Sequence, residues 1–234
     1  MRILRHHLLF LAPLMLSVAA MAQIHEAGSG VQGPVQAPHL TAELIADSGT
    51  ISPGGTSHVA LSLMLEPGWH VYWVYAGDSG EAPSVAWSTP QGIALGPMQY
   101  SAPSRLPLGP LMDYGYEGTA TFPFRLTTSQ QLSLGTTSLK AHVQWLVCRE
   151  VCLPGKAFLG LNLKVAPTAP AATNPLIDAA LHAEPIALPS SVKVHVSANR
   201  SLLTVDVETG HRETALEYYP LDDDSVRNAA EQKV

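Results

Sequence analysis

Between residues 40 and 165, apolar and polar side chains alternate with a period of two in short runs, at 57–65, 69–75, 120–126, 139–147 and 158–165. That period places one face of each run against a core and the other toward water, the signature of antiparallel strands. Turn-forming clusters separate the runs: Pro53-Gly54-Gly55, Glu66-Pro67-Gly68 and Gly109-Pro110. No helix-period segment of useful length interrupts them. The pattern predicts an all-β fold, an immunoglobulin-like antiparallel β-sandwich.

Individual faces follow from the alternation. In 139–147, Ala141, Val143, Trp145 and Val147 share the core face, while Lys140, His142 and Gln144 share the other. Cys148 comes at the end of that strand, and the chain returns around Phe158 with Leu159, Leu161, Leu163 and Val165 alternating. Cys148 and Cys152 are therefore expected at the mouth of a hairpin rather than at the centre of the sandwich. In 69–75, Trp69, Val71 and Trp73 fall on the core face, with His70 and Tyr72 opposite. Trp69, Tyr72 and Trp73 are read as packing residues and His70 as structural.

Outside the alternating span the character changes. Residues 1–22 read as a Sec-type signal peptide: basic Arg2 and Arg5, an apolar stretch from Leu8 to Ala20, and small residues before a cleavage expected after Ala22. The apolar stretch is shorter than the roughly 20 residues a spanning helix needs. No membrane span is expected once the signal is removed. Residues 23–39, rich in Gly, Ala and Pro, are expected to be a flexible lead-in, with order beginning near Leu40 and the first domain covering 40–166. Residues 167–189 are expected to form a linker with one short helix, capped by Asn174 and with Pro175 in its first turn. Alternation resumes at 191–196 and 202–207, so 190–234 is expected to be part of a second β-domain, too small to bury a sandwich core alone.

The formal net charge is −6 over 234 residues, and the expected leader holds two of the basic residues and no acid. An acidic chain without a Lys/Arg cluster argues against nucleic acid as a partner. With only two cysteines, the domain needs a real hydrophobic core rather than disulfide staples. In an exported chain, cysteines spaced like Cys148 and Cys152 most often form a structural bridge. Yet a loop of about five residues restrains the unfolded chain by only roughly 2 kcal/mol. Tight bridges at exposed turns also include the labile, exchanging ones. Arg149 and Lys156 would favour a thiolate, and Glu150 would oppose it. A metal site using both cysteines with His142 or His70 is a further alternative, to which the scattered histidines lend little spacing support.

Five segments carry a resemblance in order: Gly68-Trp69-His70-Val71-Tyr72-Trp73, Gly77-Asp78-Ser79-Gly80, Pro107-Leu108-Gly109-Pro110-Leu111, Asp113-Tyr114-Gly115-Tyr116-Glu117-Gly118, and Trp145-Leu146-Val147-Cys148-Arg149-Glu150-Val151-Cys152-Leu153-Pro154. Together they resemble the periplasmic N-terminal region of the DsbD family of protein-disulfide reductases, above all its ScsB-like branch. Tyr218-Tyr219-Pro220 resembles the start of that branch's second β-domain. The resemblance implies a periplasmic module whose Cys148 and Cys152 accept electrons from a thioredoxin-like reductant domain. These pass to periplasmic thiol-disulfide proteins, such as disulfide isomerases or cytochrome c maturation partners. It implies no haem, flavin, nucleotide or metal cofactor. It also places Asp113, Tyr114, Gly115, Tyr116 and Glu117 at the family's cap loop, which shields the cysteines until a partner docks.

Full-length members of that family continue into a multi-helix membrane domain and a thioredoxin-like domain, which this sequence lacks. The expectation is therefore a fragment of a longer protein, or a module reduced by separate polypeptides. Its chemistry would be thiol-disulfide interchange, with Cys152 as the sulfur that bonds the partner. The rival reading is a non-catalytic periplasmic binding or assembly module whose bridge only locks a hairpin.

Overall fold

The computed structural model describes residues 33–213, 215–221 and 226–233. The expected signal peptide and residues 23–32 of the expected lead-in lie outside these. Two sheets, antiparallel except for one short parallel pair at an edge, face each other as an immunoglobulin-like sandwich. The first is ordered β1 (Val35–Ala37), β2 (Leu40–Ala46), β4 (Thr56–Leu65), β10 (Thr119–Thr128), β7 (Ile93–Met98). The second is ordered β3 (Thr50–Ile51), β12 (Cys152–Val165), β11 (Gly135–Cys148), β5 (His70–Gly77), β9 (Leu111–Glu117), β8 (Ser104–Leu108), with β6 (Ser84–Ser88) also paired to β11.

The core is what the alternation predicts. Ala141, Val143, Trp145 and Val147 of β11 are buried, and they meet Val59, Leu61 and Leu63 of β4 and Phe122 and Leu126 of β10 across the sheet interface. Burying such aliphatic and aromatic side chains contributes about 1.5–3 kcal/mol each, so this patterned interface dominates the stability of the sandwich.

Two boundaries differ from expectation. Order in the sandwich begins with β1, five residues before Leu40, because His39 adopts a left-handed φ of 64° and folds Val35–Ala37 back onto β2. The returning strand β12 begins at Cys152 rather than near Phe158 and pairs with β11 without interruption from Cys148↔Cys152 to Gly135↔Val165. Pro154 is tolerated because that part of β12 has a neighbour on one side only.

In the stretch expected as a linker, α1 (Pro175–His182) forms with the predicted cap: the Asn174 side chain accepts from Leu176 N at 3.0 Å, and Pro175 opens the first turn. The helix packs against β10 and β4 with Ile177 fully buried. Ala102 N donates to Ala183 O at 2.8 Å, fastening its C-terminal end. Beyond it, among the described residues, β13 (Lys193–Ala198) and β14 (Leu203–Glu208) pair only with each other. The chain then returns to the sandwich, where Pro220 and Asn228 are buried.

Candidate thiol-disulfide site

The long β11–β12 hairpin carries the two cysteines at its end, directly opposite each other in the register and joined by a disulfide. Gly155, opposite Trp145 in the register, leaves room for the indole: a Cβ there would meet the ring at 2.4 Å, so the ring lies across a position without a side chain. The two sulfurs have unequal surroundings. Cys148 is fully buried, whereas Cys152 is exposed, as is Val151 in the turn beside it. Only one end of the bridge is open to an attacking thiolate.

Arg149 does not spread its charge freely over the sulfurs. Its guanidinium carbon lies 5.3 Å from the Trp69 ring centroid, a cation–π contact. Trp69 also stacks on His39, with ring centroids 3.7 Å apart, and the His39 ring nitrogen lies 2.7 Å from Glu66. This stack pins the hairpin tip to the turn preceding β5.

Strand β5 meets β11 at a single pair, His70↔Cys148. Tyr72 follows two residues later on the same face, and its hydroxyl lies 3.4 Å from Cys152 Sγ. A disulfide sulfur carries no hydrogen, so the hydroxyl is the donor. Behind the ring, the chain turns through Asp78-Ser79-Gly80. Gly80 abuts the ring itself, while Ser79 donates to the Asp113 carboxylate from N at 2.9 Å and from its single hydroxyl, whose Oγ lies 3.0 and 2.9 Å from the two carboxylate oxygens.

Burial sets the charge states of this cluster. It pushes the Tyr72 hydroxyl up to about 12, with the nearby Asp113 charge adding to the effect, so Tyr72 remains a protonated donor at neutral pH. Burial also raises the Asp113 carboxyl, against the Ser79 hydrogen bonds that favour its ionised form. His70 is lowered by burial, against the attraction of Asp113 and Glu117. Its Nε2 has no hydrogen-bond partner among the described residues. A neutral imidazole, a phenol and a half-open disulfide thus share one face of the second sheet.

Residues 113–117, expected to form a loop over the cysteines, are instead part of strand β9, paired with β5 on one side and β8 on the other. Gly115 is required by this pairing rather than by loop motion, since a Cβ would fall 2.1 Å from Val71 O. Tyr116 turns into the sandwich, donating to Ser101 O at 2.7 Å and packing edge-on against Phe122. Tyr114 is buried, donates to Asn228 Oδ1 at 3.2 Å and meets Tyr219 edge-on. Asp113 joins the cysteine cluster through Ser79; Glu117 lies opposite His70 in the register. The aromatic ring at the sulfur is Tyr72, which the sequence reading took as ordinary packing. The available clue was that His70, Tyr72 and Cys148 all alternate away from the core.

Residues 41–161 match the family model described as "Thiol:disulfide interchange protein DsbD, N-terminal". The chain belongs to this DsbD N-terminal family. Among solved structures it resembles the N-terminal periplasmic domain of ScsB from Proteus mirabilis, at 21% identity and a TM-score of 0.53, covering 75% of this chain and 67% of that one. It also aligns with the reduced DsbD N-terminal domain of Neisseria meningitidis at 13% identity and a TM-score of 0.36, covering 54% of this chain and 87% of that one. No curated protein sequence matches. For this DsbD-type domain the ScsB likeness supports the sandwich fold, and the bonded Cys148–Cys152 pair supplies the group on which interchange chemistry depends. Among the described residues no set of three or more His, Cys, Asp or Glu side chains is grouped to hold a metal ion. No helix among them is long and apolar enough to cross a membrane.

Proposed function

We propose that this domain is a periplasmic protein-disulfide reductase module that relays two electrons through Cys148 and Cys152. The observation that carries the reading is the asymmetry of the bridge: Cys148 is fully buried and Cys152 is exposed at the end of a hairpin. A bridge that served only to lock the hairpin would add little, since β11 and β12 are already paired along their whole length. Family membership agrees with the interchange chemistry.

In the reducing step, a thiolate of a thioredoxin-like donor attacks Cys152 Sγ. The Cys148–Cys152 bond breaks, the sulfur of Cys148 leaves as a thiolate and takes up a proton, and a mixed disulfide joins donor to Cys152. The donor's second thiol then resolves it. The donor leaves as a disulfide and the domain as a dithiol, a net transfer of two electrons and two protons. In the delivery step the Cys152 thiolate attacks the disulfide of an acceptor such as a disulfide isomerase or a cytochrome c maturation thioredoxin. Cys148 resolves that mixed disulfide and restores the bridge. Tyr72 contributes by donating to Cys152 Sγ, where negative charge develops whenever the sulfur is a nucleophile or leaving group.

The test is the reduction potential of the pair, measured by equilibration with glutathione or dithiothreitol buffers and thiol trapping. A value of about −180 to −270 mV, with the sandwich folded in both states, supports the relay. A value below about −300 mV with unfolding on reduction identifies a structural bridge.

A further inference from the structure

The returning C-terminal segment reaches the second sheet at β5, β8 and β9. Tyr219 meets Trp73 and Tyr114 edge-on, with ring centroids 6.1 and 5.4 Å apart. Arg105 of β8 donates to the carbonyls of Asn228 and Ala230 at 3.0 and 3.3 Å. Asn228 is the polar centre of this contact. Only 6% exposed, it accepts from the Tyr114 hydroxyl and donates through Nδ2 to the Tyr75 hydroxyl at 3.2 Å and to Asp78 Oδ1 at 2.9 Å. Every polar atom of its side chain is engaged.

Strand alternation puts Trp73 and Tyr114 on the opposite face from Tyr72 and Asp113. Contact between the two faces runs through one turn. Asp78 accepts from Asn228 through Oδ1 and from Met112 N through Oδ2 at 2.8 Å. The next residue, Ser79, holds Asp113, and the one after it, Gly80, backs the Tyr72 ring. Three consecutive residues thus join the C-terminal segment to the phenol at Cys152. Gly80 holds φ of 90° with no space for a Cβ against the Tyr72 ring, and the Asp113 that Ser79 holds is fully buried.

We infer that Asn228 is a positioning residue for the redox site: by clamping Asp78 it fixes the 78–80 turn, and through it the Tyr72 hydroxyl at Cys152. The C-terminal unit thereby sets the reactivity of a sulfur that it does not touch. This inference rests on the interchange function proposed above.

The test uses the full chain in four forms: wild type, Asn228→Asp, Asp78→Asn, and the paired exchange of both. Asn228→Asp sets two carboxylates against each other, and Asp78→Asn sets two amide donors against each other. The paired exchange restores one donor facing one acceptor and still leaves an oxygen for Met112 N. The readouts are the alkylation rate of Cys152 in the reduced protein and the fraction reduced in a fixed glutathione buffer, with circular dichroism confirming the sandwich in each form. Each single variant is expected to slow alkylation by about three- to tenfold, the scale of one ordinary net hydrogen bond, and the paired exchange to recover most of that loss. Single variants that react at the wild-type rate overturn the inference alone. So does a paired exchange as slow as its parents, because the effect is then general disruption of the C-terminal segment. A wild-type pair that glutathione cannot reduce without unfolding takes down the interchange reading and this inference with it.

Discussion

Gly80 packs against the ring of Tyr72 so closely that a Cβ on it would fall 2.1 Å from Cζ. The same glycine holds φ of 90°, a conformation unfavourable to any residue with a side chain. Gly80→Ala therefore meets both a steric and a backbone penalty, and the ring it strikes is buried and cannot swing away. The expected cost is about 1–3 kcal/mol, read as a lower urea midpoint, together with altered reactivity at Cys152. An unchanged midpoint would show that the turn yields readily and does not brace the ring.

Tyr72→Phe removes only the hydroxyl. The ring's packing against Gly80 and its edge-on contact with His70 remain, so stability should change by less than about 1.5 kcal/mol, the scale of one net hydrogen bond. Alkylation of Cys152 in the reduced protein should slow by about three- to tenfold, because the thiolate loses its donor. Equal rates in the two proteins would demote Tyr72 to a packing residue.

The importance of Tyr72 was not legible in the sequence, and the reason is topological. Its alternation away from the core could be read, as could that of Ala141 to Val147, because period two is a local property. What could not be read is that β5 meets β11 only at His70↔Cys148, which carries the Tyr72 hydroxyl to a sulfur 80 residues away in the chain. The helix at Pro175 was legible in detail because its cap is also local: Asn174 and Pro175 announce it. Residues 113–117, which the family resemblance places at a cap loop, lie in strand β9, and nothing local to the sequence announces that Gly115 serves close strand contact. The return of Asn228 follows a chain path with no local signature at all.

His70 makes the fold sensitive to mild acid. Burial lowers its pKa below the ordinary 6.5, so in the interval beneath 6.5 the unfolded chain binds a proton that the folded protein refuses. The stabilisation from keeping it neutral is fully present above pH 6.5 and is lost as pH falls toward the depressed folded value. Wild-type protein should therefore show a lower urea midpoint at pH 5.5 than at pH 7.5, and His70→Gln should reduce that difference. If the substitution leaves the pH dependence untouched, the acid sensitivity resides in other groups.

The unequal burial of the two sulfurs separates the roles of the cysteines. With Cys148→Ser, the remaining thiol at Cys152 is exposed and can attack a partner disulfide, but no buried neighbour is left to resolve the product. Mixed disulfides with a thioredoxin-like protein should accumulate and survive non-reducing electrophoresis. With Cys152→Ser, the remaining thiol at Cys148 is fully buried, on the His70 side of the hairpin, and cannot reach a partner's sulfur without opening the β11–β12 end. That variant should form few mixed disulfides while keeping its fold, since the register from Val147↔Leu153 onward does not depend on the bridge. The decisive comparison is the yield of trapped complex from the two variants at equal concentration. A larger yield from Cys152→Ser would reverse the assignment and require the hairpin end to open during exchange.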